Sequence, residues 1–254
     1  MNKSLFNCYQ KIQSIIGNDY ESFESVDLIE QYRQYWRPGK VNIVLLAESH
    51  VFTSSEDRNF KLNDNLSLKD YPDCYAKFVY CLAYGEKTLT KSDNHPAKAD
   101  GTPQFWKILY SCINKVESNE SFFPILKSGT KTASERINNK IQLLIKLKKR
   151  GIWLVDASII ALYNKGVKPN NEVFNEVINT SWNHYTKKLI LDANPRHVIV
   201  VGKGVAKNIE SSLSSLIGRE NYTIIPQPQA HLTSEEHLSN FNKYYSICST
   251  NQTK

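Results

Sequence analysis

The sequence predicts an α/β fold, three layers deep, with helices on both faces of a central, mainly parallel sheet of four to five strands. Two observations carry this expectation. Short apolar runs recur along the chain, and amphipathic helical stretches separate them. Strands joined by helices build parallel sheets covered on both faces.

Val41–Ala47 (VNIVLLA) opens the series as a nearly continuous apolar run, the pattern of a strand buried on both sides. Phe78–Tyr84 (FVYCLAY) is a second candidate strand, Ile152–Val155 a third, His197–Gly202 a fourth and Tyr222–Pro226 a fifth. Helices are expected between them. Pro103–Val116 begins with proline, which is suited to a first helical turn. Ala133–Arg150 ends in Lys146, Lys148, Lys149 and Arg150, cations that favour a helix C-terminus. Asn171–Ala193 is long and apolar-periodic, and Val205–Ile217 follows a strand and a Gly-containing turn. The last helix, ending near Ser246, opens on Thr233 with Glu236 three residues later, a capping box.

Length and composition fit one domain. The 254 residues form a single expected unit, with residues 1–36 a helical preface containing Tyr32, Tyr35 and Trp36. No apolar run approaches the roughly 20 residues of a membrane span, and the first residues lack a secretory apolar core. A cytoplasmic monomer without membrane contact is therefore expected. The five cysteines, Cys8, Cys74, Cys81, Cys112 and Cys248, contain no C-x-x-C pair. Reduced thiols are expected, with neither metal nor iron–sulfur cluster. The formal charge of +7 suits a polyanionic partner such as DNA.

Ligands of parallel sheets bind beyond the carboxyl ends of strands. Polar clusters fall at four such ends: Glu48-Ser49-His50, Asp156, Gly202-Lys203-Gly204, and Gln227 to His231. The Gly202-Lys203-Gly204 turn lacks the spacing of a phosphate-binding P-loop.

Five segments, in order, resemble motifs of the uracil-DNA glycosylase superfamily. LLAESHV (Leu45–Val51) is similar to the first motif, of the GQDPY or GEAPG type. TPQFWKIL (Thr102–Leu109) and GIWLVDASIIAL (Gly151–Leu162) resemble the next two. HVIVVGKGVAKNI (His197–Ile209) and IIPQPQAHL (Ile224–Leu232) resemble the strand–turn–helix and the PHPSPL motif. The resemblance runs from about Val41 to Tyr245. It implies a DNA glycosylase that flips a base out of the stack and hydrolyses its bond to deoxyribose, with water as nucleophile and no cofactor.

On that resemblance Glu48 orients the water and opposes the positive charge of the sugar. His50 is a further catalytic candidate. In the last motif either Gln227 or His231 takes the role of donor to the leaving base; Gln227 can donate but cannot shuttle a proton. The family's uracil-specific members carry Asn where Asp156 stands and Tyr where Val51 stands. Asp156 would accept from the amino group of cytosine or adenine, with a proton shared toward the ring nitrogen and held by a carboxyl pKa raised through burial. Val51 would leave room for a group on C5. Together they imply a C5-substituted cytosine, as in bacterial defence against phages whose DNA carries modified cytosines. Phe52, Phe78, Tyr80 and Tyr84 lie in regions where a flipped base could stack, and Phe52 and Tyr80 are taken as base-recognition candidates. Thr102, Gln104, Lys203 and Gln229 would meet the DNA backbone. No lysine lies in the first or last motif, so a lyase step is not expected. Three other readings stay open: excision of uracil or a deaminated purine, a non-catalytic nucleic-acid-binding module, and a small-molecule hydrolase on an unrelated α/β sheet, which would leave the five ordered motifs as coincidence.

Overall fold

The computed structural model describes residues 2–17, 20–63, 66–91, 102–163, 169–228 and 231–251. Four strands, β1 (Ile43–Ala47), β2 (Ile152–Asp156), β3 (His197–Val201) and β4 (Tyr222–Ile225), form one parallel sheet in the order β2-β1-β3-β4. The two inner strands β1 and β3 are the most apolar, because both faces of the sheet are covered and each must avoid exposing nonpolar surface.

The helices α1 (Lys3–Ile16), α6 (Asn171–Ser181) and α8 (Lys203–Ile217) pack together, and so do α4 (Pro103–Ser111), α5 (Ala133–Lys149) and α9 (Ser234–Thr250). With the sheet between them they make the three layers expected. A single turn, α3 (Ser55–Arg58), follows the loop after β1 and is capped by Ser54 and Asp57. α9 begins on the capping box: Thr233 N donates to Glu236 Oε2 at 2.7 Å and Glu236 N to Thr233 Oγ1 at 3.2 Å. Among the described residues no helix is long and apolar enough to cross a membrane.

Phe78–Tyr84 is not a strand. It folds as successive turns, closed by Cys81 N to Phe78 O and Tyr84 N to Cys81 O, each at 2.9 Å. The segment nonetheless serves the sheet. β2 lies at one edge, and its Leu154 N–H donates to the Tyr80 hydroxyl at 2.9 Å instead of to a fifth strand. Tyr71 and Trp36 in turn donate to the Tyr80 carbonyl, at 2.7 and 3.3 Å. An aromatic cluster thus closes an edge that would otherwise present an unpaired ladder.

The expected helix over Asn171–Ala193 is interrupted. A π turn at Trp182–Thr186 separates α6 from α7 (Lys187–Ala193). The bulge puts the Thr186 hydroxyl 3.4 Å from Asp156 O and 3.3 Å from Ala157 O, at the carboxyl end of β2. Such bulges favour functional regions.

The N-terminal part is helical, as expected, and α2 is built into the core. In α2 (Phe23–Tyr35), Val26, Ile29, Glu30 and Arg33 share one helical face and all are buried. Two opposite charges on an apolar stripe must find partners inside the protein. They pair with each other, and Arg33 also reaches Asp156 at the carboxyl end of β2.

Candidate functional site

From β1 the chain crosses to β2 on one side and later to β3 on the other, so the direction of winding reverses at β1. Crevices at such a switch point hold the ligands of open α/β sheets. Glu48 stands at the end of β1, and Gly202 at the end of β3.

The upper tier of the site is half exposed. Gln227, just beyond β4, donates from Nε2 to Glu48 Oε2 at 3.3 Å. Tyr163, which follows β2 through a short loop, lies beside Glu48, and burial and the Glu48 charge both raise its phenol pKa. Behind the carboxylate, α8 begins at Lys203, and a methyl built on Gly204 would lie 3.9 Å from Glu48 Oε2. The partial positive charge of a helix N-terminus favours an anion there. Gly202 has φ +109°, and a side chain on it would come within 2.8 Å of Gln227 Cγ. The glycine therefore allows both the turn into α8 and the seat of Gln227.

The lower tier is buried. His50 Nε2 lies 2.7 Å from Glu21 Oε2, and His50 Nδ1 lies 3.6 Å from Asp156 Oδ2, an ionic contact longer than a hydrogen bond. Arg33 Nη2 donates to the same Asp156 oxygen at 2.8 Å, while Nη1 pairs with Glu30. The Arg33 guanidinium lies over the Phe78 ring, 5.5 Å from its centroid. Glu21 also accepts from Thr53 N and Ala161 N, each at 3.0 Å. Burial alone would depress the His50 pKa, but the charge of Glu21, with Asp156 beside the ring, outweighs it and pushes the pKa up to about 9.

Asp156 shows the opposite of the expected shift. Burial raises its pKa, but His50 and the Arg33 charge overcome that and hold it below the usual carboxylate value. The expected raised pKa and shared proton are therefore corrected: Asp156 is an ionised partner of two cations. Its residue is only 4% exposed.

The other expected site residues separate. Between the two last-motif candidates, Gln227 reaches Glu48, whereas His231 is exposed. Tyr80 is corrected from base reader to sheet-edge cap: it is 1% exposed and its hydroxyl is taken by Leu154. Val51, at 39% exposure, faces outward on the loop after β1, and Phe52 is half-buried beside it. Lys203 is exposed at the start of α8. Thr102 precedes α4 without capping it through its side chain. Gln104 lines a cavity of about 360 Å³ with Lys107, Phe122, Pro228, His237 and Phe241. Gln229 lies outside the described residues. Cys8, Cys81, Cys112 and Cys248 are buried free thiols, and Cys74 is half-buried. Among the described residues no group of His, Cys, Asp and Glu is placed to hold a metal ion.

Glu21, Glu30, Arg33 and Tyr163 escaped the sequence reading. The signal for two of them was present: Glu30 and Arg33 are spaced i, i+3 on the apolar stripe of α2. Chemically, the upper tier offers a carboxylate with the neutral Gln227 amide on it and the Tyr163 phenol beside it. Such a group can accept a proton from water or oppose a nearby positive charge.

Comparison of the chain with protein-family models, with curated proteins and with solved structures finds no match.

Proposed function

We propose that the chain is a monofunctional DNA glycosylase that flips a C5-substituted cytosine and hydrolyses its bond to deoxyribose. The observation that carries this reading is the Glu48 carboxylate at the switch point of the sheet, in contact with Gln227 and backed by the first turn of α8. There it suits the orientation of water against an oxocarbenium-like sugar, with the Gln227 amide a donor for the departing base. The ordered resemblance to the uracil-DNA glycosylase superfamily supports the same reaction. The choice of base rests on the ionised Asp156, which repels a uracil carbonyl while suiting an amino group, and on the resemblance, which implies a tyrosine wall where this chain has Val51. Removal of such a base would serve defence against phages with modified cytosines in their DNA.

One observation favours a second reading, a non-catalytic nucleic-acid-binding module. Arg33 and His50 already occupy Asp156, so a base edge would reach it only by displacing one of them. The two readings separate in one assay. The protein is incubated with duplexes and single strands bearing cytosine, 5-methylcytosine, 5-hydroxymethylcytosine, glucosylated hydroxymethylcytosine or uracil, and abasic sites are then cleaved with alkali. Strand breaks at substituted cytosines support the glycosylase; binding without breaks supports the module. Breaks at uracil alone refute the choice of base.

A further inference from the structure

Three buried carboxylates, Glu21, Glu30 and Asp156, face two buried cations, Arg33 and His50, directly beneath the loops that carry Glu48 and Tyr163. An ion cluster of this kind is a poor way to gain stability alone. Apolar side chains of similar volume would often do as well, because each charge must leave water. Its value lies in what it ties together.

Glu21 stands in the segment between α1 and α2, far in sequence from either loop. One oxygen accepts from Thr53 N on the loop after β1, and the other takes His50 Nε2 from that loop and Ala161 N from the loop after β2. His50 is two residues from Glu48, and Ala161 is two residues from Tyr163. The loops are joined once more above, where Leu162 N donates to Ser49 Oγ at 3.3 Å and Ser158 N to Glu48 O at 3.0 Å. Arg33 secures the other side, between Asp156 and Glu30 and against Phe78.

We propose that Glu21 and Arg33 are positioning residues for Glu48, acting through His50 and Asp156 to hold the two site loops at a fixed separation. The proposal rests on the reading of Glu48 as the group that orients water. It makes the N-terminal segment an integral part of the site. The groups facing His50 are Glu21 from that segment and Asp156 from β2, with Arg33 and Glu30 of α2 behind Asp156 and the Phe78 ring at its edge.

The test uses the full chain, the Glu21→Gln variant, and Glu21→Asp as a charge-preserving control. The amide of Glu21→Gln keeps the size but removes the anion and one acceptor. Base release is followed against pH, and the Glu48 carboxyl and His50 ring are followed by ¹³C and ¹⁵N NMR. In Glu21→Gln, kcat should fall about 10–100-fold with KM little changed, as for a small misplacement of a reacting group. The alkaline limb of the pH profile should move to lower pH, and the Glu48 carboxyl signal should shift; Glu21→Asp should restore part of each. An unchanged kcat, limb and Glu48 signal in a folded Glu21→Gln protein overturns the proposal while leaving the glycosylase reading intact. If the unmodified protein releases no base, that reading fails instead, and the Glu48 signal alone decides: displaced by Glu21→Gln, it supports positioning; undisplaced, it overturns it. Should Glu21→Gln not fold, Arg33→Lys, which keeps the cation but loses the planar fork, takes its place, with kcat and the Glu48 signal as the deciding readouts.

Discussion

His50 Nε2 sits 2.7 Å from Glu21 Oε2 with both side chains fully buried, joining the N-terminal segment to the loop that follows β1. This contact makes the protein's stability depend on pH in a defined direction. The ordinary pKa is 6.5, and in the folded protein it is pushed up to about 9. The stabilisation is thus complete below pH 6.5, declines above it, and is lost as pH passes 9. It amounts to on the order of 3 kcal/mol. Urea unfolding at pH 6 and pH 9.5 should show the loss, and His50→Gln should flatten that part of the profile. An equal alkaline loss in His50→Gln would assign it to another group.

Arg33 stands between two buried carboxylates, Asp156 and Glu30. Arg33→Met leaves both charges without its guanidinium, so a loss of about 3–5 kcal/mol is expected. Denaturant titration at pH 7 measures it. A loss below about 1 kcal/mol would show that the two carboxylates do not depend on the Arg33 guanidinium.

Tyr80 offers a clean separation between stacking and structure. Tyr80→Phe keeps the ring and removes the acceptor of Leu154 N, so it should cost about 1–3 kcal/mol and leave substrate preference unchanged. A changed preference at unchanged stability would return Tyr80 to base recognition.

Gly202→Ala combines two penalties, the left-handed backbone at φ +109° and the collision with Gln227. About 1–2 kcal/mol of destabilisation is expected from the backbone alone. Displacement of Gln227 should in addition slow base release more than it weakens DNA binding, as measured by single-turnover kinetics and by band shift.

Much of the fold could be read from the chain. Strands β1 to β3 stand out as short apolar runs, almost wholly buried, without the amphipathic period of a helix, and Thr233 with Glu236 marks the start of α9 through purely local bonds. Phe78–Tyr84 misleads because aromatic, β-prone composition reports burial as readily as strand pairing. The same burial is used at the sheet edge without a ladder. The π turn at Trp182–Thr186 was not read from the sequence; its Thr186 hydroxyl meets Asp156 O and Ala157 O, which lie about thirty residues away in the chain. The site divides in the same way. Glu48 and Gln227 follow strands, and strand ends can be located from sequence. Glu21 and Arg33 act across separations of 29 residues to His50 and 123 residues to Asp156, distances that local pattern does not encode. Asp156 was visible as a residue, but its charge state depends on those partners.

Glu48→Gln tests the central claim most directly. The side chain is half exposed, and the amide matches the carboxylate in size, so folding should be kept. Release of 5-substituted cytosine from duplex DNA under single-turnover conditions should fall on the order of 10²–10⁴-fold, with DNA affinity nearly unchanged. A Glu48→Gln protein that releases base at the rate of the unmodified chain would contradict the assignment of Glu48 as the water-orienting group.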